Sequence, residues 1–199
     1  MTTRIPALLR SPNTAIALAL AITAVMLIPF IATVNDFLAN IAQLLGANTL
    51  LLQTLAPLES QLVGATFRAL SPARAVSMGP FLTITLGQHP TSVYIDWNCT
   101  GWQSWLILTI TLLVGLHGSY TRRSKLATAA AAMAGTFVVN IARITTVILV
   151  AIYIGTEQAL LYHTYGGIVT LGAWLIVFWL IAYRYLLRKP EPKAGVSGR

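Results

Sequence analysis

The sequence predicts an all-α integral membrane bundle of about four transmembrane helices, with a small extracytoplasmic segment that contains amphipathic helix and a β-hairpin. Hydrophobic residues make up 56% of the 199 residues, and charged residues only 9%. Soluble domains carry roughly 25% charged residues, so this chain has too little charge to cover a water-facing surface. The same composition excludes intrinsic disorder. Four apolar stretches reach the roughly 20 helical residues that span the hydrocarbon.

We expect a single membrane domain over residues 1–199, with spans at residues 13–34, 99–120, 126–154 and 163–183. Residues 35–98 form the extracytoplasmic segment, and residues 184–199 form a basic tail. Arg4 and Arg10 precede the first stretch, which leaves a cleaved secretory signal as an alternative to the first span. The stretch exceeds the 7–15 apolar residues of a usual signal peptide, which favours the span.

The placement of the basic residues predicts the topology. Ten of the 13 Lys and Arg residues precede the first span, join the second to the third, or follow the fourth. The positive-inside rule therefore puts both termini of a multi-pass plasma membrane protein in the cytoplasm. The net charge of +8 is then a topology signal, reinforced by anionic membrane lipids, and it requires no nucleic acid partner.

The extracytoplasmic segment divides into two parts. Its first part has leucines and other apolar residues at helical spacing, which predicts amphipathic helix on the outer membrane surface. These residues are Phe37, Ile41, Leu44, Leu45, Leu51, Leu52, Leu55 and Leu58. Its second part alternates over residues 81–86 and 92–96, with turn residues between them. That pattern predicts a hairpin leading to Cys99.

Three unusual residues fall at one depth. Counting about 20 residues from each cytoplasmic helix end reaches Cys99, Arg143 and His163 at the outer membrane boundary. Arginine at membrane depth costs at least roughly 2.5 kcal/mol, so Arg143 is a functional candidate by default. The alternative is a structural arginine that pairs with Asp96 or Glu157, or that snorkels to the surface.

Cys99 is the single cysteine, so the chain forms no internal disulfide, and no Cys/His spacing predicts a zinc or other metal site. It stands at a predicted helix start, where Asn98 can cap the helix and the free N–H groups favour a thiolate. Arg143 and His163 would lower its pKa further. The alternative interpretation is a small buried hydrophobic residue.

His163 opens the fourth span, and its position predicts a general acid and base. Gly166 and Gly167 follow it and permit close approach of another helix or a substrate. The alternative is an interfacial histidine bonded to backbone or to a lipid headgroup.

Three motifs together resemble the exosortase/archaeosortase family of membrane-embedded cysteine transpeptidases. They are Cys99-Thr100-Gly101-Trp102-Gln103-Ser104, Asn140-Ile141-Ala142-Arg143, and His163 with Gly166-Gly167. Their order on successive spans is more specific than any one of them. The similarity covers residues 96–174.

The resemblance implies that Cys99, Arg143 and His163 are catalytic. Supporting roles are assigned to Asn98, Gly101, Ser104, Asn140, Gly166 and Gly167. The implied substrates are secreted proteins that end in a recognition motif, a transmembrane helix and a basic cluster. Cys99 would form a thioester with them, and a lipid or glycan would accept the protein; with water as acceptor the enzyme would be a protease. No cofactor is implied.

Two other functions fit the composition. A membrane scaffold would use Arg143 and His163 for helix packing and would not need the Cys99 thiol. A small anion transporter would use Arg143 to bind its substrate, but polar residues would then extend through the whole bilayer. Here they concentrate near the outer face, which disfavours transport.

Overall fold

The structure is a computed structural model that describes residues 33–34, 36–87 and 89–190. Most of the predicted first span and the end of the basic tail lie outside the described residues. The chain divides into two compact units, Met1–Ala47 and Asn48–Arg199. In the first unit the described helix is α1, Asp36–Leu44. Its predicted apolar residues Phe37, Ile41 and Leu44 are exposed.

Helix α2, Ala47–Leu70, forms much of the segment that was predicted to be extracytoplasmic. Its inward face repeats every three or four residues, as a helix requires, and consists of Ala56, Glu59, Ser60, Val63, Gly64 and Phe67. The structure confirms that this segment is helical, but the buried face is not the one predicted. Leu58, predicted on the apolar side, is 45% exposed, and Glu59 is buried. The inward face covers a sheet, and this mixed set of residues is buried there in place of the predicted leucines.

A three-stranded antiparallel sheet packs on α2, with strand order β1-β2-β3. The strands are β1 (Arg74–Met78), β2 (Phe81–Leu86) and β3 (His89–Tyr94). The predicted hairpin corresponds to β2 and β3, and β1 is an additional strand. Ala75, Leu82 and Ile84 are buried with Val63 and Phe67 in one core cluster. Alternate residues of a strand face one side, which explains how this short sheet buries a single face.

The chain passes from β3 into a 3₁₀ helix, Trp97–Thr100, and then into α3, Trp102–Gly115. The predicted span over residues 99–120 is therefore helical over a shorter stretch. Fourteen residues give a helix about 21 Å long, less than the roughly 30 Å of a hydrocarbon core. Gly101 separates the two helices because its left-handed backbone, φ 69°, ends one of them before the next begins.

Two long helices complete the described chain. Helix α4 is Arg122–Tyr153, and Thr121 caps it by accepting a hydrogen bond from the Ser124 backbone. A second continuous helix covers Thr156–Leu186. It comprises α5 (Thr156–Leu161), a π-helical turn (Tyr162–Gly166), α6 (Gly167–Ile181) and a second π-helical turn (Ala182–Leu186).

The fold is mostly helical, and its two long helices of 32 and 31 residues are both apolar enough to cross a membrane. The count within the described residues becomes three if α1 and α2 are taken as one broken span. Leu108 of α3, Ala132 of α4 and Phe178 of α6 share a second core cluster. This cluster packs three helices together, while the first cluster holds the sheet against α2 and α4.

Candidate functional site

Cys99 lies in the 3₁₀ turn that precedes α3. Its backbone N–H donates to the Asp96 carbonyl at 2.8 Å, and the Asp96 carboxylate accepts from the Asn98 N–H at 3.4 Å. The expectation that Asn98 caps the helix is therefore wrong. The helical turn starts earlier than predicted, so Asp96 occupies the capping position. The Asn98 side chain instead accepts a hydrogen bond from the Trp102 indole at 3.4 Å.

Helix α4 holds the backbone of Cys99 through two side chains one turn apart. Arg143 Nη2 donates to the Cys99 carbonyl oxygen at 2.9 Å, and Asn140 Nδ2 donates to the same oxygen at 3.1 Å. Arg143 Nε also donates to Asn140 Oδ1 at 3.2 Å. Within the described residues Arg143 forms no salt bridge to Asp96 or Glu157, the partners that a purely structural arginine was expected to have.

Gly101 lets the Cys99 turn approach α4 closely. A Cβ atom at this position would lie 2.8 Å from both Cγ and Oδ1 of Asn140. Such a distance is well inside van der Waals contact, so a larger residue would displace the Asn140 amide. The supporting role predicted for Gly101 thus has a steric basis.

His163 lies in the π-helical turn between α5 and α6. Its Nε2 atom is 3.4 Å from the Cys99 sulfur, within hydrogen-bonding range for sulfur. Single π-helical turns inside α-helices are frequent at functional sites, because they shift the side chains that follow them. The structure thus brings together the three predicted residues, which come from separate elements of the chain.

The two glycines after His163 are close to different neighbours. A Cβ at Gly167 would lie 3.0 Å from Arg143 Nη1, and one at Gly166 would lie 2.5 Å from the Tyr162 ring. Gly167 therefore allows the guanidinium to approach α6. Ser104 lies in the first turn of α3, where its backbone N–H donates to the Gly101 carbonyl. Among the described residues its hydroxyl makes no hydrogen bond to Cys99, Asn140, Arg143 or His163, which together are called the cluster below.

Glu59 is a member of the cluster that sequence reasoning did not find. It is 1% exposed, and its Oε1 atom accepts a hydrogen bond from Asn140 Nδ2 at 2.9 Å. Its other carboxyl oxygen, Oε2, is buried without a hydrogen-bond partner in the described part of the chain. One signal was present in the sequence. Glu59 falls at helical spacing between Ala56 and Val63, on the face of small and apolar residues.

The surroundings of Cys99 favour a neutral thiol at rest. Burial raises the pKa of the Cys99 thiol, and the Arg143 guanidinium lowers it by a smaller amount. Cys99 precedes α3 and lies outside the two helices that are long enough to cross a membrane. Arg143 therefore stabilises the thiolate as expected, but desolvation of the buried sulfur outweighs that effect.

The described residues contain no group of three or more His, Cys, Asp or Glu side chains that could hold a metal ion. What the site offers instead is a thiol 3.4 Å from an imidazole and a guanidinium bonded to the backbone carbonyl of the same cysteine. That set is suited to nucleophilic acyl transfer, in which a base takes the thiol proton and a cation stabilises developing negative charge.

The model of the transmembrane exosortase family matches residues 7–180 of the chain. This chain belongs to the transmembrane exosortase family. The match includes Cys99, Arg143 and His163, and it agrees with the resemblance seen in the motifs. Exosortases are membrane proteins with a transpeptidase type of function, and the apolar helices of this chain fit that class. No curated protein and no solved structure matches the chain.

Proposed function

We propose that this exosortase cleaves the C-terminal sorting signals of secreted proteins at the outer membrane–water interface and uses Cys99 as its nucleophile. The observation that carries the proposal is the 3.4 Å contact between Cys99 Sγ and His163 Nε2. A nucleophile and base within hydrogen-bonding reach of each other are characteristic of covalent catalysis by cysteine.

In the first half-reaction, His163 Nε2 takes the Cys99 proton as the sulfur attacks the carbonyl carbon of the scissile peptide bond. The new C–S bond gives a tetrahedral oxyanion. Its collapse breaks the C–N bond, and the imidazolium returns the proton to the leaving amine. The products are a thioester on Cys99 and the released C-terminal tail.

In the second half-reaction, His163 takes a proton from the acceptor as the acceptor attacks the thioester. The C–S bond breaks, and the thiolate of Cys99 regains a proton from the imidazolium. An amine or hydroxyl of a lipid or glycan would join the secreted protein to that acceptor. Water would make the same reaction a hydrolysis.

Arg143 is the proposed stabiliser of the oxyanion. A guanidinium has five N–H donors, of which Nε and Nη2 each use one on Asn140 and Cys99. Its Nη1 group lies beside Gly167 and has no hydrogen-bond partner among the described residues. Donors held in place before the reaction, in a partly buried site, are effective at stabilising new negative charge.

The distribution of basic residues supports an outward-facing site. Both termini would be cytoplasmic in the plasma membrane by the positive-inside rule. The secreted substrate would carry a recognition motif outside the membrane, then a transmembrane helix and a basic cytoplasmic cluster. Cleavage just outside that helix would take place at the depth predicted for Cys99.

C-terminal peptide mass spectrometry of envelope proteins tests the proposal, because its readout does not depend on which proteins are the substrates. Cells carrying the wild-type protein are compared with cells carrying Cys99→Ala at matched expression. A set of proteins that keeps its hydrophobic tail only in the mutant is the expected result, and the mass left on each new C-terminus identifies the acceptor. Identical termini in both cells, with tailed candidates expressed, would reject the proposal in favour of a scaffold.

A further inference from the structure

We infer that Glu59 is a positioning residue of the exosortase site, acting on Cys99 and Arg143 through the Asn140 amide. The inference rests on the proposed function. Glu59 lies 81 residues before Asn140 in the sequence, on a helix that carries none of the other cluster residues.

The Asn140 amide links three groups at once. Its Nδ2 atom donates both to Glu59 Oε1 at 2.9 Å and to the Cys99 carbonyl at 3.1 Å. Its Oδ1 atom accepts from Arg143 Nε at 3.2 Å. These contacts use both amide hydrogens and direct the oxygen to the guanidinium. A rotated amide would point its oxygen at the Glu59 carboxyl, so Glu59 favours the orientation that holds Arg143.

The burial of the Glu59 carboxyl indicates that its contact with Asn140 has a role beyond packing. Carboxyl groups are seldom fully buried without full pairing, yet Glu59 is 1% exposed and Oε2 has no partner among the described residues. A residue selected only for packing at this position would be apolar, like its helix neighbours Ala56 and Val63. The cost of burial is offset at one oxygen alone, the one that contacts Asn140.

Two roles for the carboxyl can be separated by substitution. If Glu59 supplies a hydrogen-bond acceptor at a fixed distance, the side chain's reach matters and its charge does not. If it compensates the Arg143 charge, the charge matters. Glu59→Gln keeps the reach and loses the charge, whereas Glu59→Asp keeps the charge and shortens the side chain by one methylene.

The test measures processing of the envelope proteins identified with Cys99→Ala, in a pulse-chase with equal amounts of each membrane-inserted variant. We expect Glu59→Gln to stay within about threefold of the wild type and Glu59→Asp to lose about tenfold, the effect of one misplaced buried hydrogen bond. Glu157→Gln changes an exposed acid on α5 and is the matched control. The reverse order, with Gln impaired and Asp active, would overturn the positioning role, as would full activity in both.

A double-mutant cycle tests whether Glu59 acts through Asn140. Processing by Glu59→Asp with Asn140→Ala should equal that of Asn140→Ala alone, because the intermediary is already lost. A double variant whose loss of processing equals the product of the two single losses would contradict the inference. If Cys99→Ala itself retains processing, the proposed function has failed. If only the Glu59 variants match the wild type, the function stands and this inference fails.

Since Cys99 is the single cysteine, its alkylation by iodoacetamide in isolated membranes gives a second readout that needs no substrate. Loosening of Arg143 should slow alkylation of Glu59→Asp about fivefold relative to the wild type, which carries the same charge at this position, because less of the thiol ionises. Equal rates, or faster alkylation of Glu59→Asp, would count against the inference.

Discussion

The carbonyl oxygen of Cys99 accepts a hydrogen bond from Arg143 Nη2 at 2.9 Å. The arginine thus contacts the backbone of the proposed nucleophile, while His163 contacts its sulfur at 3.4 Å. Helix α4 holds the turn that carries Cys99, and the π-helical turn carries His163, the proposed base. Arg143 thus holds the backbone of Cys99 in place, in addition to its proposed role in stabilising the oxyanion.

Arg143→Lys should reduce processing at least tenfold. The planar guanidinium reaches Asn140 Oδ1 and the Cys99 carbonyl from two different nitrogens, and a lysine ammonium cannot reproduce that fork. Pulse-chase of tailed envelope proteins measures the effect. Arg123→Lys, at an exposed position near the start of α4, should behave as the wild type. Normal processing by Arg143→Lys would mean that a point charge suffices.

His163→Ala should reduce processing about a hundredfold, the usual contribution of a general acid and base. His117→Ala is the matched control, since His117 is exposed in the connection between α3 and α4. Both variants are compared at equal membrane levels. Equal loss in the two variants would point to a general effect on the protein and away from proton transfer by His163.

The rate of Cys99 alkylation should still increase as the pH rises above about 8.5, the ordinary pKa of a thiol. Burial raises the Cys99 pKa, so the neutral thiol predominates below the raised value and the reactive thiolate accumulates as the pH passes through it. Iodoacetamide labelling of wild-type membranes over a pH series gives the profile. A rate that is already constant between about pH 6 and 8 would indicate a preformed thiolate and contradict this prediction.

Gly101→Ala should impair both stability and processing, and Gly87→Ala should impair stability only slightly. Both glycines have positive φ values, 69° and 62°, so both substitutions carry backbone strain. Only at Gly101 would the new Cβ collide with Asn140, at 2.8 Å, whereas nothing lies within 4 Å of a Cβ at Gly87. Thermal melting in detergent, together with processing, separates the two effects. Similar defects in both variants would assign the role of Gly101 to its backbone alone.

Thr136→Val should lower the free energy of unfolding by about 1–3 kcal/mol, because it leaves a partly buried indole N–H without its acceptor. The Trp174 indole donates to the Thr136 hydroxyl at 2.9 Å. Thr128→Val is a matched control on the same helix, since the buried Thr128 hydroxyl has no partner in the described residues. That variant should be neutral or more stable. The ranking of the two melting temperatures checks the prediction, and a reversed ranking would disprove it.

Sequence patterns anticipated much of the scaffold. The third and fourth apolar stretches correspond to long helices, because their length and composition are local properties that any bilayer-sized helix shares. The alternation of apolar and polar residues predicted β2 and β3, because it too is a local property of the sequence. Strand β1 was missed. Arg74–Met78 is a short run whose outward residues include the apolar Val76 and Met78, and its pairing with β2 provides the signal that the sequence lacks.

The chemistry of Cys99, Arg143 and His163 was visible in the sequence, which has a lone thiol, an arginine at predicted membrane depth and a histidine at a predicted helix start. The structure corrects the last of these, because His163 lies inside the continuous helix Thr156–Leu186. Their meeting at hydrogen-bond distance, and the inclusion of Glu59, depended on the tertiary structure. Glu59 reaches Asn140 across 81 residues, and a contact between distant segments leaves no periodic pattern in either of them. The sequence thus determined the helices and the reactive groups, whereas the packing of α2 against α4 decided which residues hold those groups in place.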